Sequence, residues 1–380
     1  MGRWEWLDQL KEDIRVREAY DESMKDIGIL GGGIAGLNTA LRLLKKGHAV
    51  TLYEKQKGVI DKVCGEGILP FGVQMLDELG LTAAVAAEGR RFFGLTYTWQ
   101  GKTLQAGFPD GVFGIGIDRG KLDPILRNAC LAHSNFTFHE GVRESPETVS
   151  KKHDFFLGAD GVQGKSARWT GRKLHASPRI GARCRLQATP PDRVTVHFFK
   201  EGEIYLTPTA QGTTSVAFLL NRRRLSVQGK DLRWFCEAML REAFPQYVGC
   251  EIEDFATRGN IAVQWKGPQP QTILLGDALA AFDPISGAGM SFSLLCGKAA
   301  AEHLGDVDAY YRSMKPAIRA IGNVTHLISF FSGGGIRTGL MFRQLQKTPT
   351  LFQRLIASHN GRQQWWQVLD WQAAKAVLRV

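Results

Sequence analysis

Residues 26–55 read DIGILGGGIAGLNTALRLLKKGHAVTLYEK, and this stretch decides the fold. Ile27, Ile29 and Leu30 form a short apolar run that predicts a buried strand. The turn Gly31-Gly32-Gly33-Ile34-Ala35-Gly36 follows and contains the spacing GxGxxG. Leu37, Ala40, Leu41 and Leu44 then share one helical face, Gly47 stops the helix, and AVTLY supplies a second strand. A glycine turn between strand and helix is common by itself. Here Glu54 stands 18 residues after Gly36, at the end of the second strand, and that context is the dinucleotide-binding fingerprint. Gly31 permits the tight turn, Gly33 lets the backbone approach a pyrophosphate, and Gly36 lets helix and strand pack closely. The helix start at Ile34 and Ala35 presents free N–H groups to phosphate, and Glu54 can accept both ribose hydroxyls. Lys55, directly after it, does not by itself make the site a reader of a 2′-phosphate.

Outward from that unit, the composition is ordinary for a globular enzyme. The 380 residues are 44% hydrophobic and 22% charged, enough for one large domain or two interlocked ones. No apolar run reaches the ~18–20 residues that cross a bilayer. Residues 1–24 mix acids and bases with Trp4 and Trp6, which fits neither a secretory signal nor a transit peptide. They predict a short amphipathic helix, and the expected location is cytoplasmic. Six cysteines stand far apart with no CxxC pair, so reduced thiols are expected, with no disulfide framework and no metal site.

The net charge of +11 is unevenly placed. After residue 311, ten Lys/Arg face the single acid Asp370, an excess of +9. A solvated basic face, or a basic cap near an anionic cofactor, accounts for this, and no nucleic-acid partner is expected. A second reading is peripheral docking on an anionic membrane, because Phe330, Phe331, Phe342, Phe352, Trp365, Trp366 and Trp371 interleave with the cations.

Further along, residues 92–108 alternate and turn at Gln100-Gly101, which predicts a hairpin. Residues 120–132 read as helix and 153–158 as a buried strand. From 179 to 222 the segments RIGARCRLQA, RVTVHFFKEGEIYLTP and TTSVAFLL read as antiparallel strands between Pro190-Pro191, Gly202 and Gly212. A helix over 230–243, a strand over 272–278 and a long helix from 289 follow, and from 306 onward the chain reads as helical. Gly333-Gly334-Gly335 follows no strand and reads as a loop between helices.

Two more segments carry chemistry. In Gly158-Ala159-Asp160-Gly161, an acid and a glycine at a strand end can bend the chain toward a hydroxylated ligand. In Gly276-Asp277 and Asp283-Pro284-Ile285-Ser286-Gly287-Ala288-Gly289-Met290, Asp277 can bond a polyol hydroxyl. Pro284, Gly287 and Gly289 shape a turn that opens a helix whose N-terminus stabilises negative charge.

Together the three segments resemble the FAD-dependent oxidoreductases that include single-component aromatic hydroxylases, geranylgeranyl reductases and flavin halogenases, over roughly residues 25–330. The resemblance implies an α/β fold: a Rossmann-like, glutathione-reductase-type and hydroxylase-like FAD-binding domain. Interleaved with it are an antiparallel β-sheet substrate domain and a helical C-terminal region. On this scheme 1–24 is a helical extension, and 25–90, 110–170 and 265–325 form the FAD-binding domain. Residues 91–109 and 171–264 form the substrate domain, and 326–380 a helical cap. The resemblance also implies that GxGxxG and Glu54 bind ADP. Asp160-Gly161 and Gly276-Asp277 would hold the pyrophosphate and ribityl regions, with Ala288 and Met290 in the flavin loop. Arg119 would reach the cofactor and Val142 would lie beside adenine. Lys62-Val63-Cys64-Gly65-Glu66-Gly67-Ile68-Leu69-Pro70 resembles the K-x-CGEG-x-x-P loop of a bacterial branch, which passes the isoalloxazine ring, so Cys64 and Gly65 are expected there.

Three reactions share this scaffold. The W-x-W-x-I-P stretch of tryptophan halogenases is absent. The Y-x-W-x-F-P stretch of geranylgeranyl reductases is reduced to Glu203-Ile204-Tyr205-Leu206-Thr207-Pro208. The reading favoured is an NAD(P)H- and oxygen-using hydroxylase of a lipophilic aromatic, polyketide or quinone-like compound. Prenyl reduction and halogenation come next, with an FAD-binding redox sensor as the non-enzymatic alternative. Tyr205, Thr207, Tyr97, Trp99 and Cys64 are the pocket candidates. His197 and His175 read as structural.

Overall fold

A computed structural model describes residues 24–60, 62–176, 179–225, 231–259 and 263–359; the predicted N-terminal helix and Trp365, Trp366 and Trp371 lie outside them. The opening stretch folds as its periodicity predicts: strand Asp26–Leu30, helix Ile34–Lys45, strand Ala49–Glu54. These strands sit in a five-stranded parallel sheet, ordered Ile273–Leu274, Phe155–Gly158, Asp26–Leu30, Ala49–Glu54, Phe136–Glu140. Because every strand runs the same way, the carboxyl ends at Leu30, Glu54, Gly158 and Leu274 gather at one edge, where ligands bind in this sheet type. Helices Ile34–Lys45, Arg119–Leu131 and Gly289–Glu302 bury Leu37, Leu41, Leu122, Leu126, Phe292 and Leu294 in its core.

A seven-stranded sheet forms the second layer. Its order is Ile252–Gly259, Arg179–Gln187, Thr213–Asn221, Gly202–Ala210, Val194–Phe198, Gly94–Trp99, Lys102–Gly107. Its pairs are antiparallel except Val194–Phe198 with Gly94–Trp99, which is parallel. The hairpin turns at Gln100-Gly101, both at positive φ. Strand alternation gives the sheet two apolar faces. Ala182, Cys184, Ile204, Leu206, Val216 and Phe218 pack with helix Leu232–Ala243. Leu95, Tyr97, Val194, Val196, Tyr205 and Ala217 point the other way.

Two elements run across expected boundaries. Strand Arg90–Phe92 crosses the one at 90/91 and pairs with Gly114–Gly116, which also pairs with Gly67–Ile68. The one at 325/326 falls inside the continuous helix Val307–Phe331. Helices Ile336–Lys347 and Pro349–His359 follow the glycine loop. Phe342 and Phe352 are buried against Trp99 and Tyr97, with ring centroids 5.8 and 5.0 Å apart, so these two aromatics belong to the core. Of the aromatics that interleave with the cations, Phe330 is the exposed one among the described residues. None of the described helices is long and apolar enough to cross a membrane.

Candidate flavin site

The carboxyl edge of the parallel sheet and the inner face of the seven-stranded sheet enclose a cleft of about 470 Å³. At its nucleotide end, Gly31 adopts φ +113° and donates its N–H to the Tyr53 carbonyl at 2.8 Å. A Cβ there would lie 2.4 Å from the Ala159 carbonyl oxygen, whereas a Cβ on Gly33 would meet only open cleft. That open space is where a ligand can touch backbone. Helix Ile34–Lys45 starts at Gly33 with no side-chain cap, so its first N–H groups remain available to an anion. Glu54 is buried and fixes the turn: Oε2 accepts from Gly32 N at 2.7 Å and Oε1 from Gln56 N at 2.8 Å. Its remaining lone pairs are the ones a ribose could use. Lys55 and Val142 line this end, and Val142 N donates to the Glu54 carbonyl at 2.9 Å.

The Asp160 carboxylate turns onto its own loop. Oδ2 accepts from Lys165 N at 2.6 Å and Ser166 N at 2.9 Å, while Oδ1 is buried with no hydrogen-bond partner among the described residues. Burial pushes its pKa up, against the pull of these N–H groups. Asp160 and Gly161 both line the cleft, so the orphaned oxygen sits where a ligand hydroxyl could satisfy it.

Asp277 lies farther along, 2.6 Å from Lys62 Nζ. Burial works against its charge, and Lys62, with Arg258 and Arg119, outweighs that, holding the carboxyl below its ordinary range. Its backbone carbonyl accepts from Trp265 Nε1 at 2.8 Å. Arg119 is buried in a two-pronged pair with Asp123, at 3.0 and 2.8 Å, and reaches the same cleft. Cys64 and Gly65 line it too, with Glu66 N donating to Cys64 Sγ at 3.4 Å. Pro284, Gly287, Gly289 and Met290 line the end where the resemblance expects the flavin ring. Helix Gly289–Glu302 likewise begins without a side-chain cap, so two helix starts converge on one cavity.

Three predicted residues are not on the cleft wall. Gly36 packs so closely that a Cβ would lie 1.9 Å from the Gly31 carbonyl oxygen, and one on Gly276 would lie 2.9 Å from Ser293 Oγ. Ala288 is buried beneath the loop. Each shapes the backbone and leaves contact to its neighbours. Trp99 also misses the cleft: it shares a strand face with Leu95 and Tyr97 but lies beyond its end, against Phe342. His197 is on the opposite face, 2.9 Å from Thr98 Oγ1 and edge-on to Phe244.

Tyr97, Tyr205 and Thr207 do line the cleft. Tyr205 O–H donates to the Ile285 carbonyl at 2.9 Å, tying the sheet to the flavin loop. Burial raises the pKa of both tyrosines, so both stay neutral. Sequence reasoning missed Lys62 as a partner, because 215 residues separate it from Asp277. It also missed Arg258, which lines the cleft from strand Ile252–Gly259, a strand whose polar composition hides it. Among the described residues no cluster of His, Cys, Asp or Glu could hold a metal ion.

Comparison with known proteins agrees with this geometry. Residues 26–61 match the family model described as FAD dependent oxidoreductase. Over that segment the chain is similar to the FAD-dependent oxidoreductases. A squalene epoxidase of Gibberella zeae is 26% identical over 213 residues, 44% of this chain and 41% of that protein. A 6-methylpretetramide 4-monooxygenase of Streptomyces rimosus is 30% identical over 133 residues, 33% and 32% of the two chains. The matches thus span less than half of these two relatives. A menaquinone reductase of Mycobacterium tuberculosis is 23% identical over 326 residues, 74% and 77%. Among solved structures, a flavoprotein/dehydrogenase from Cytophaga hutchinsonii has the same fold, with TM-score 0.73 and 18% identity over 90% of this chain and 93% of that one. FAD is the cofactor this family implies, and the open glycines, uncapped helix starts and orphaned Asp160 oxygen fit it.

Proposed function

We propose that this chain is an NAD(P)H- and oxygen-using monooxygenase of a hydrophobic aromatic, polyketide or quinone-like compound. One observation carries the reading: the cleft has an apolar wall on the seven-stranded sheet. Leu95, Tyr97, Val194, Val196 and Ala217 form that wall, and its two cleft-facing tyrosines are neutral, so it offers shape and exclusion of water rather than a strong acid or base. FAD, when bound, supplies hydride acceptance and oxygen chemistry. The chain's own residues orient the lipophilic substrate against Tyr97 and Thr207 and keep bulk water away. The two monooxygenase relatives support this choice.

A reductase of isoprenoid or quinone double bonds is the second reading, because the menaquinone reductase aligns over most of the chain. Reconstituted protein supplied with NADH or NADPH and lipophilic phenols or quinones separates the two. Oxygen from isotopically heavy dioxygen should enter the product. Saturation of a double bond under anaerobic conditions, with no oxygen in any product, would give the case to the reductase.

The proposed setting is cytoplasmic, with the basic C-terminal helices meeting an anionic leaflet. Phe330 and Ile336 stand exposed beside the glycine loop, with Arg337 stacked 4.5 Å from the Phe330 ring centroid. Basic residues at such a surface add about 1 kcal/mol each.

A further inference from the structure

Behind loop 283–290 lies a second cavity of about 220 Å³, walled by Arg179, Glu203, Arg224, Asp283, Ser329 and Ser332. Asp283 lines both this cavity and the large cleft, so one carboxyl stands between the two. Glu203 is completely buried on strand Gly202–Ala210, two residues before Tyr205 and on the same face. Its Oε2 lies 2.7 Å from Arg179 Nη2, and that nitrogen is 3.2 Å from Asp283 Oδ1. Its Oε1 has no hydrogen-bond partner among the described residues. A fully buried carboxyl oxygen left open on a polar cavity calls for an exchangeable ligand, and the cavity is roomy enough for water.

Monooxygenation, NAD(P)H + H⁺ + O2 + RH → NAD(P)⁺ + ROH + H2O, takes up one proton per turnover beyond the hydride that the donor delivers. On the function proposed above, on which this inference rests, the electrons come from the nicotinamide donor and pass to dioxygen. Tyr97 and Tyr205 are held neutral and Tyr205 O–H is committed to Ile285; of the acids that line the cleft, Asp283 is the one that also lines the smaller cavity. We propose that the smaller cavity is a proton conduit to the flavin loop, with Glu203, held by Arg179, passing to Asp283 the proton that the site takes up. A proton from cavity water adds to Glu203 Oε1, leaves through cavity water for the Asp283 carboxylate, and is given up on the cleft side. Both carboxylates are then restored, and Arg179 stays charged throughout.

Charged and polar groups face Glu203 from several elements. Arg179 faces it from strand Arg179–Gln187, Asp283 from the flavin loop, Arg224 from the turn after strand Thr213–Asn221, and Tyr205 from its own strand, with the Ser332 hydroxyl from the end of helix Val307–Phe331. Burial pushes the Glu203 pKa up, Arg179 pulls it down, and Asp283 raises it again, leaving it above the usual carboxylate range.

The test uses FAD-loaded protein held half-reduced against a redox dye. A pH jump is applied and the flavin absorbance is followed as it relaxes. Glu203→Gln should slow that relaxation by on the order of 10²-fold with flavin still bound, the scale expected when a positioned proton carrier is removed. Glu203→Asp, which keeps a carboxylate for Arg179, should shift the pH at which the rate changes. Ser332→Leu, which fills the cavity, should slow relaxation without altering the flavin spectrum. Unchanged relaxation in yellow Glu203→Gln and Ser332→Leu proteins would overturn the conduit alone. A chain that takes up no flavin would overturn the function reading as well.

Discussion

Lys62 and Asp277 form their 2.6 Å pair across 215 residues of sequence, and its effect can be measured. The Asp277 pKa is depressed in the folded chain. A depressed acid contributes stability above its unfolded pKa of ~3.9 and loses it as pH falls through the lower folded value. Lys62→Met should therefore cost about 1 kcal/mol at neutral pH, since the two side chains are 33% and 30% exposed and solvent screens the pair. In urea titrations the variant and the parent should converge as the pH drops below ~4; a constant gap down the acid limb would contradict the pairing. At Tyr205 the expectation is different. Tyr205→Phe strands the Ile285 carbonyl and should cost about 1–2 kcal/mol while FAD stays bound. Peroxide released per NAD(P)H consumed should rise, because the flavin loop loses its tie to the sheet; unchanged coupling would remove Tyr205 from the pocket's function.

The helix start at Gly33 offers a sharper contrast between folding and binding. Gly36→Ala drives a methyl group into the Gly31 carbonyl oxygen and should destabilise by ~1–3 kcal/mol. Gly33→Val points into open cleft, so the circular dichroism spectrum should be kept and FAD uptake lost. Equal FAD binding by Gly33→Val and the parent would place the cofactor elsewhere. This element was readable from sequence because its periodicity, its glycines and Glu54 are all local. The hairpin at Gln100-Gly101 was readable for the same reason. Strand Ile252–Gly259 was not: Glu253, Asp254, Thr257 and Arg258 give it no apolar alternation, and pairing with Arg179–Gln187 on one edge alone holds it in the sheet. The turning of Asp160 onto Lys165 and Ser166 is likewise a matter of backbone geometry that no residue type announces.

Across the whole molecule, two sheets meet along one cleft, and the C-terminal helices pack Phe352 on Tyr97 of its wall and Phe342 on Trp99 beyond it. The basic excess after residue 311 and the exposed pair Phe330 and Ile336 make liposome co-sedimentation informative. Pelleting should require anionic lipid, weaken with salt and fall in a Phe330→Ser, Ile336→Ser double variant. Equal, negligible pelleting with and without liposomes would end that idea. The central claim is that the cleft holds FAD, and reconstitution tests it most directly. Purified chain mixed with FAD, FMN or NAD and then desalted should retain one FAD per chain, yellow and released by denaturation, with Glu54→Ala weakening retention by ~1–3 kcal/mol. A colourless chain that retains no FAD, or one that retains FMN or NAD instead, would contradict it.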